Sequence, residues 1–359
     1  MYLNFKPLLF ISIISLLSTG CQKIINKLRT EKICDSSSAF ENNIYGGCEI
    51  TDDIEQKFPA IKTSVYLKTS FEFGNPNSCS GNFISENIIL TAAHCLVKKD
   101  YNYNEIEINK IEISNINKIY NYYFRPLSTS ETFIAHPYFK IFSKYISESD
   151  ENEPQKFGVD DFADIALIYS PVSASDMNAE VLSLTDYVLN DEKLFLVGYG
   201  NTVSKHDEKT YAIKKWGIAY ATNEINEKIN AYTFYDKNYV NWKIKDFWET
   251  NVKKYISKKY NEKSPAESFL ITSGFTNENG VCPGDSGGAI FVKRDGKYVG
   301  AGITHAILND DCSDKLSMNM KIGAYKEWIL SESKKLSKNY KDNNQFSDQD
   351  KNQKITFID

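Results

Sequence analysis

Residues 282–288 read Cys-Pro-Gly-Asp-Ser-Gly-Gly, and this stretch does most to decide the fold and chemistry of the chain. A serine hydroxyl is a weak nucleophile until a neighbouring base removes its proton. It also needs backbone N–H groups directed at the oxygen that becomes negative during the reaction. Glycines on both sides of Ser286 let the backbone approach a substrate carbonyl closely. The same string also occurs in ordinary loops, so Ser286 is a candidate nucleophile only if a base and an acid accompany it.

Two other stretches supply a candidate base and a candidate acid. An apolar strand, Ile84–Leu90, leads into a small-residue turn that ends in His94. Asp164 stands directly before the apolar run Ile165–Tyr169. A buried carboxylate is costly unless it is paired, and a histidine N–H is a suitable partner. The alternative interpretations are a core histidine beside a disulfide and a simple turn aspartate.

Taken together, these stretches resemble the chymotrypsin/trypsin family. The matching strings are TAAHC at 91–95, DIAL at 164–167, GYG at 198–200 and GDSGG at 284–288, and IYGG at 44–47 resembles the mature N-terminus. The resemblance covers about 44–330, apart from residues 221–265 and a stretch near 100–131. It implies an all-β fold of two six-stranded antiparallel β-barrels, with the active site in the cleft between them and a C-terminal helix.

The resemblance also implies a serine endopeptidase that hydrolyses peptide bonds through an acyl-enzyme. His94 is then general base and later general acid, Asp164 holds the His94 tautomer, and Ser286 attacks the carbonyl. The N–H groups of Gly284 and Ser286 form the oxyanion hole. We expect protein or peptide substrates, and neither a cofactor nor a metal. His136, in a surface loop, and the solvated His206 are then bystanders.

Activation in this family follows cleavage before an isoleucine, whose new amine pairs with the aspartate beside the nucleophile. Here these residues are Ile44 and Asp285, so the chain is expected to be a zymogen. A free α-amine is mostly protonated at neutral pH, as this pairing requires. Asn43 precedes Ile44 where the family usually has Lys or Arg. An activating protease other than a trypsin-like one is therefore implied.

The expected specificity pocket also departs from the trypsin pattern. Gly280 stands six residues before Ser286, where trypsin-like members have an aspartate. A buried Arg or Lys side chain of the substrate would then lack its counter-charge. If His305, Ala306 and Ile307 form the pocket wall, Ile307 narrows it. His305 could touch a ligand, although a structural role is the stronger interpretation. We therefore predict cleavage after small or medium apolar residues.

The N-terminal residues have the character of an export signal. Lys6 precedes an apolar run, Leu8–Leu17, which is too short to span a bilayer. Residues 1–21 thus form a signal peptide, or a lipoprotein signal in which Cys21 is lipidated. The second alternative would provide the expected membrane association. Either way the protein is expected to be exported, as a secreted or membrane-anchored protein.

The rest of the chain divides into three parts by composition. Residues 22–43 are expected to be a pro-segment, and 44–330 the protease domain. Residues 221–265, rich in Lys, Asn and Tyr, are interpreted as an insertion in that domain. Residues 331–359 are polar and are expected to be disordered. The net charge of −5 does not favour nucleic acid as a partner.

The seven cysteines agree with export. Without Cys21, six remain, an even number suited to three disulfides. The family resemblance implies the pairs Cys79–Cys95 and Cys282–Cys312. Cys34 and Cys48 are left over, and a bridge between them would tether the pro-segment after cleavage.

Short apolar runs rich in Ile, Val, Tyr and Phe predict strands. They are Thr63–Leu67, Asn82–Leu90, Ile165–Tyr169, Leu194–Gly198, Ser268–Thr272, Ala289–Lys293 and Tyr298–Thr304. Ile322, Tyr325, Trp328 and Ile329 recur at helical spacing, so a terminal helix should pack on a barrel through that face.

Two other functions remain compatible with the sequence. A non-catalytic homologue would use the same scaffold as a binding or adhesion protein, although such proteins usually lack a triad member. An esterase would share the acyl-transfer chemistry without the preference for peptides.

Overall fold

The computed structural model describes residues 48–99, 105–120, 124–137, 139, 163–200, 210–222, 269–274, 281–307, 316–344 and 354–358. In these residues the helices are α1 (Asp52–Lys57) and α2 (Lys326–Asn344), with shorter 3-10 segments. The strands in chain order are β1 (Cys48–Glu49), β2 (Ser64–Phe71), β3 (Asn77–Ser85), β4 (Ile88–Thr91), β5 (Lys98–Lys99), β6 (Glu105–Ile106), β7 (Ile108–Ser114), β8 (Lys118–Tyr120), β9 (Ser128–Ser130), β10 (Phe133–Ala135), β11 (Ala166–Tyr169), β12 (Lys193–Gly198), β13 (Thr210–Ile213), β14 (Lys215–Ala221), β15 (Phe269–Gly274), β16 (Ala289–Arg294), β17 (Lys297–Ile307) and β18 (Leu316–Lys321).

The first large sheet has the order β10-β11-β4-β3-β2-β7-β9, with antiparallel neighbours. Its two end strands, β9 and β10, are parts of one extended stretch with two residues between them. One part pairs with β7 and the other with β11, so the sheet closes on itself through residues 128–135. Its interior is a cluster of buried Val, Leu, Ile and Phe side chains, including Leu67, Phe83 and Ile168.

The second large sheet closes in the same way. Its order is β14-β12-β16-β17-β18-β15, and β15 pairs back onto β14, which makes a ring of six strands. The short strand β1 is added at β14 as a seventh. The interior again consists of buried aliphatic residues, among them Leu194, Ile290 and Val299. The predicted all-β fold of two antiparallel barrels followed by a helix is therefore confirmed.

The barrels meet where β12 packs against β2 and β3.

One predicted strand of the first barrel is two strands in the structure. Residues 82–90 belong to the end of β3 and the start of β4, with a turn at Glu86 and Asn87 between them. The Asn87 side chain donates to Ser170 O at 2.8 Å, and Ala174 N donates to Glu86 O at 2.7 Å. Glu86 and Asn87 thus form the turn of a hairpin within the predicted strand.

The C-terminal helix packs on β10 and β11 of the first barrel, as its apolar spacing predicts. Trp328 and Ile329 are fully buried. The prediction of a disordered tail from residue 331 was wrong for residues 331–344, which continue α2. Leu336 is buried and Tyr340 stacks on Tyr169 with ring centroids 4.0 Å apart. Sparse apolar residues at four-residue spacing, which average composition hides, hold the helix on the barrel.

A second part of that tail is also ordered. Leu184 N donates to Thr356 O at 2.8 Å, and Ile358 N donates to Leu184 O at 2.7 Å. Ile358 packs against the core of the second barrel, and Lys326 Nζ lies 4.8 Å from the Phe357 ring centroid. Residues 354–358 therefore extend the barrel as a short parallel addition beside Leu184.

Three predicted segments lie outside the described residues: the signal and pro-segment at 1–43, and almost all of the insertion at 221–265. Among the described residues, no helix has both the length and the apolar character needed to cross a membrane.

Candidate active site

His94 lies in a 3-10 turn, Ala93–Cys95, that directly follows β4. A disulfide between Cys79 and Cys95 ties this turn to β3, with the two Cα atoms 6.1 Å apart. Asn77 Nδ2 also donates to the His94 carbonyl at 3.2 Å. The small residues before His94 are fully buried, whereas 35% of its side chain is exposed. The imidazole is thus anchored at its backbone and open to a substrate.

Asp164 is fully buried one residue after Ala163, whose φ of 52° turns the chain sharply before β11. Its Oδ1 accepts from the His94 backbone N–H at 2.7 Å, and its Oδ2 lies 2.6 Å from His94 Nδ1. The carboxylate therefore contacts both the backbone and the ring of His94. With Nδ1 as the donor, the lone pair of the ring is at Nε2.

A second imidazole contacts the same carboxylate oxygen. His305 Nδ1 is hydrogen-bonded to Asp164 Oδ2, and only 5% of the His305 side chain is exposed. The two histidine rings are edge-to-face, with centroids 5.9 Å apart. The sequence predicted a pocket-wall position for His305 and did not reveal this contact. The signal that could have revealed it was a histidine at the start of the predicted pocket wall.

The electrostatics of Asp164 follow from these contacts. Burial by itself would raise the pKa of the Asp164 carboxyl. The charges and hydrogen bonds of His94 and His305 outweigh burial and hold this pKa well below its usual range. These contacts therefore favour the ionised form of Asp164.

Ser286 reaches this pair from the second barrel. The loop that carries it is hydrogen-bonded to β3 of the first barrel: Ser80 N donates to Ser286 O at 2.8 Å, and Ser80 Oγ donates to Gly284 O at 2.9 Å. Gly287 has a φ of 81°, and a Cβ there would lie 2.2 Å from Ser80 O. Only glycine permits this approach, which places Ser286 at the junction of the barrels.

The hydroxyl of Ser286 has a different partner from the one predicted. Ser286 Oγ donates to His305 O at 3.4 Å, which is a long hydrogen bond. In the described residues it makes no hydrogen bond to His94. The structure thus brings His94 and Asp164 into direct contact and places Ser286 beside them without the serine–histidine bond.

Within the described residues, the predicted oxyanion donors have no competing acceptor. Gly284 has a φ of 100°, a conformation that suits glycine. Across the described part of the chain, neither Gly284 N nor Ser286 N donates to a protein acceptor, whereas Asp285 N donates to Cys282 O at 2.9 Å. The two amides are therefore available to an anionic oxygen, and the oxyanion role stays a prediction.

Asp285 is almost fully buried. Its Oδ2 accepts from Cys282 N at 2.8 Å and its Oδ1 from Gly200 N at 2.7 Å. Burial raises the pKa of this carboxyl to about 7, despite those two hydrogen bonds and the more distant charge of the buried Lys215. Among the described side chains, none forms an ion pair with Asp285.

The other predicted site residues are described only in part. Ile44, Gly280, Cys21, Cys34 and Cys312 lie outside the described residues, as does His206. Cys282 is disulfide-bonded, and the Cys48 and Ile307 side chains are not described. His136 is not in a surface loop as predicted: it is fully buried, 4.9 Å from Trp328 by ring centroids, because α2 covers it.

The side chains of His94, Asp164 and His305 also form a donor set that zinc accepts, with ligand atoms within 4.8 Å of one another. The 2.6 Å separation of His94 Nδ1 from Asp164 Oδ2 is that of a hydrogen bond. Two ligands of one zinc ion would lie about 3.3 Å apart. The cluster is therefore hydrogen-bonded rather than spaced for a metal.

Two closed β-barrels with a histidine–aspartate pair beside a glycine-flanked serine define a chymotrypsin-like protein. The family model described as "Trypsin" matches residues 55–240, more than half of the chain, and the chain belongs to this family.

Similar proteins are distant in sequence. "Chymotrypsin-like elastase family member 1" of Felis catus is 21% identical over 263 residues, covering 70% of this chain and 77% of the relative. The protein of the same description in Macaca fascicularis is 20% identical over 255 residues, with the same coverage of 70% and 77%.

Two solved structures have the same fold. One, described as HL collagenase, has a TM-score of 0.51 and 17% identity and covers 85% of this chain and 100% of its own. The other, described as GrC, has a TM-score of 0.50 and 16% identity, covering 80% and 99%.

Proposed function

We propose that the protein is a serine endopeptidase in which His94, Asp164 and Ser286 act as the catalytic triad. The observation that carries the proposal is the bond between His94 Nδ1 and the buried Asp164 carboxylate, beside a serine fixed at the barrel junction. Membership of the trypsin family supports protein or peptide substrates.

In this proposal His94 Nε2 takes the proton of Ser286 as Oγ attacks the substrate carbonyl. The imidazolium that forms is stabilised by Asp164, which is already ionised and buried. The same proton then passes from His94 to the leaving amine, and water hydrolyses the acyl-enzyme by the reverse sequence. The amides of Gly284 and Ser286 receive the negative oxygen.

For this reaction to occur, the Ser286 hydroxyl must break its hydrogen bond to His305 O. Its bond to His305 O is long, at 3.4 Å, and therefore weak. Rotation about the Cα–Cβ bond of Ser286 would exchange it for a bond to His94. Serine–histidine bonds in unliganded enzymes are often long or absent and form when the substrate binds.

We propose activation by cleavage before Ile44. The buried Asp285 carboxyl has backbone donors but no cation in contact with it in the described part of the chain. An inserted α-ammonium group would supply that charge and make the ionised form favourable. Because Asn43 precedes the bond, the activator is a protease that accepts asparagine. N-terminal sequencing of the active form should begin at Ile44, and an active form with another N-terminus would contradict the proposal.

For specificity we propose cleavage after small or medium apolar residues. The support is Gly280 in place of an acidic pocket base, and Ile307 as a bulky wall residue. The names of the two mammalian relatives as elastase family members agree with this preference. Short Ala and Val substrates should be cleaved faster than Arg substrates, and the reverse order would reject the proposed pocket.

Export is also proposed, on the basis of the signal-like residues 1–21. A lipid on Cys21 would anchor the protein to a membrane. Intact-mass measurement of the exported protein distinguishes the two forms, because only lipidation adds acyl groups to Cys21.

The second candidate is a non-catalytic binding protein on the same scaffold, favoured by the resting bond of Ser286 to His305 O rather than to His94. An unstructured protein such as casein, together with matched peptide and ester substrates, provides the test. The endopeptidase should cleave casein and lose this activity in Ser286→Ala. Absence of cleavage after activation would favour the binding protein, and ester turnover without peptide turnover would identify an esterase.

A further inference from the structure

His305 occupies an irregular position in the second barrel. The pairing of β17 with β18 shifts between Thr304 and Ala306, so that His305 is the extra residue of a β-bulge. Directly after Ser286 in the chain, Gly287 N donates to Thr304 O at 2.7 Å and Thr304 N donates to Gly288 O at 2.8 Å. A bulge redirects a side chain out of the regular alternation of a strand. Here it accompanies an imidazole that points at the site rather than along the sheet.

This one residue contacts two members of the proposed triad. Its Nδ1 is hydrogen-bonded to Asp164 Oδ2, and its carbonyl accepts the Ser286 hydroxyl. Asp164 Oδ2 thus receives both imidazoles, while Oδ1 receives the backbone N–H of His94. Asp164, from the loop before β11, and His94, from the turn after β4, are titratable side chains that face His305.

We infer that His305 is a positioning residue that holds Asp164 against His94, and that its neutral form is required for full activity. The inference rests on the proposed function. A neutral His305 donates its Nδ1–H and leaves the carboxylate charge available to the His94 imidazolium. A protonated His305 would neutralise that charge before the reaction begins, because both imidazoles contact the same oxygen.

The arrangement has a kinetic consequence. In a protease with one histidine at the aspartate, loss of kcat/KM at acid pH requires one proton. Here protonation of either His94 or His305 stops the reaction. The acid limb of log kcat/KM should therefore approach a slope of 2 against pH.

Three variants separate positioning from a structural role. His305→Ala removes the donor and should lower kcat about 10- to 100-fold with little change in KM, the loss expected for one hydrogen bond to a charged group. His305→Asn keeps an N–H donor without a group that titrates. It should recover most of kcat and give an acid limb of slope 1. His136→Asn, at a second buried histidine whose ring packs on Trp328, should lower thermal stability while leaving the slope at 2.

A second measurement does not depend on activity. Protons shared between an imidazole and a carboxylate give low-field NMR signals, and the folded chain should show two, from His94 and His305. His305→Asn should remove one, and Asp164→Asn should remove both.

These outcomes distinguish a failure of the His305 inference from a failure of the proposed function. If the wild type cleaves peptides but His305→Ala has wild-type kcat and the same acid slope, the inference is overturned. A single low-field signal in the wild type would also overturn it. If Ser286→Ala retains full hydrolysis, the proposed function fails, whereas the NMR result still decides the His305 contact.

Discussion

Asp164 and Asp285 are both buried aspartates of the candidate site, yet the pKa values of their carboxyl groups are shifted in opposite directions from that of an exposed aspartate. The pKa of Asp164 is well below its usual range, whereas burial raises that of Asp285 to about 7. The difference lies in their partners. Two imidazoles contact Asp164, and Asp285 contacts two backbone N–H groups. Burial therefore does not determine the charge of a carboxyl by itself, since the groups that contact it also contribute.

The two aspartates therefore have different roles in the proposed function. Asp164 is ready to stabilise a positive imidazole as the chain stands. Asp285 has a favourable place for a positive group, and the amine released at Ile44 would be that group.

The largest effect is expected when Asp164 loses its charge. In Asp164→Asn the neutral amide can no longer stabilise the His94 imidazolium or select its tautomer, so kcat should fall about 10⁴-fold. Peptide hydrolysis at pH 7 provides the measurement. Asp295→Asn, at an exposed turn where asparagine tolerates the φ of 46°, is the matched control. Activity within tenfold of wild type would contradict the assignment of Asp164.

A smaller effect is expected on the stability of the uncleaved chain through Asp285. A carboxyl whose pKa rises from 3.8 to about 7 on folding holds its proton more tightly in the native state. Its contribution to stability is full below pH 4 and is lost as the pH rises to 7, by on the order of 4 kcal/mol. Asp285→Asn should therefore gain stability relative to wild type between pH 4.5 and 8.

Urea denaturation of both proteins at these two pH values tests that prediction, with Asp295→Asn again as control. After cleavage before Ile44 the difference should reverse, because the ammonium group stabilises the ionised carboxylate and not the amide. A stability difference that is independent of pH in the uncleaved chain would show that Asp285 is ionised there already.

The third largest effect is expected for the disulfide that holds the turn carrying His94. Replacing Cys79 and Cys95 together by alanine removes a bridge with a sequence separation of 16, which contributes about 3 kcal/mol in the chain-entropy model. The free energy of unfolding should fall by this amount. The pH dependence due to Asp285 should not change, because the hydrogen bonds of that carboxyl come from Cys282 and Gly200. Its loss would show that the bridge also orders the loop that carries Asp285.

The smallest effect is expected far from both aspartates. Ile358→Ala removes a half-buried side chain that packs on the core of the second barrel, and should cost about 1 kcal/mol of stability. Differential scanning calorimetry measures this loss, and kcat should not change. A large fall in kcat would mean that the docked C-terminal segment influences the site.

Much of the fold could be predicted because the candidate site residues stand next to short apolar runs, and each run can be recognised as a strand from its own sequence. The apolar runs before His94 and after Asp164 became β4 and β11, and both predicted barrels are present. The contact of His305 with Asp164 could not be predicted, because it joins residues 141 positions apart through a bulge that leaves no clear pattern in the sequence. The helical tail was missed for another reason. Its average composition is polar, and the buried face continues beyond Ile329 largely through polar residues, with Leu336 and the half-buried Tyr340 as its apolar members.

The central claim is that His94 and Asp164 activate Ser286, and fluorophosphonate labelling tests it most directly because only an activated serine reacts. The chain should be labelled strongly after cleavage between Asn43 and Ile44, weakly before it, and not at all as Ser286→Ala. Peptide mapping should place the label on Ser286. A cleaved, folded protein that remains unlabelled, or a label on another serine, would contradict the account.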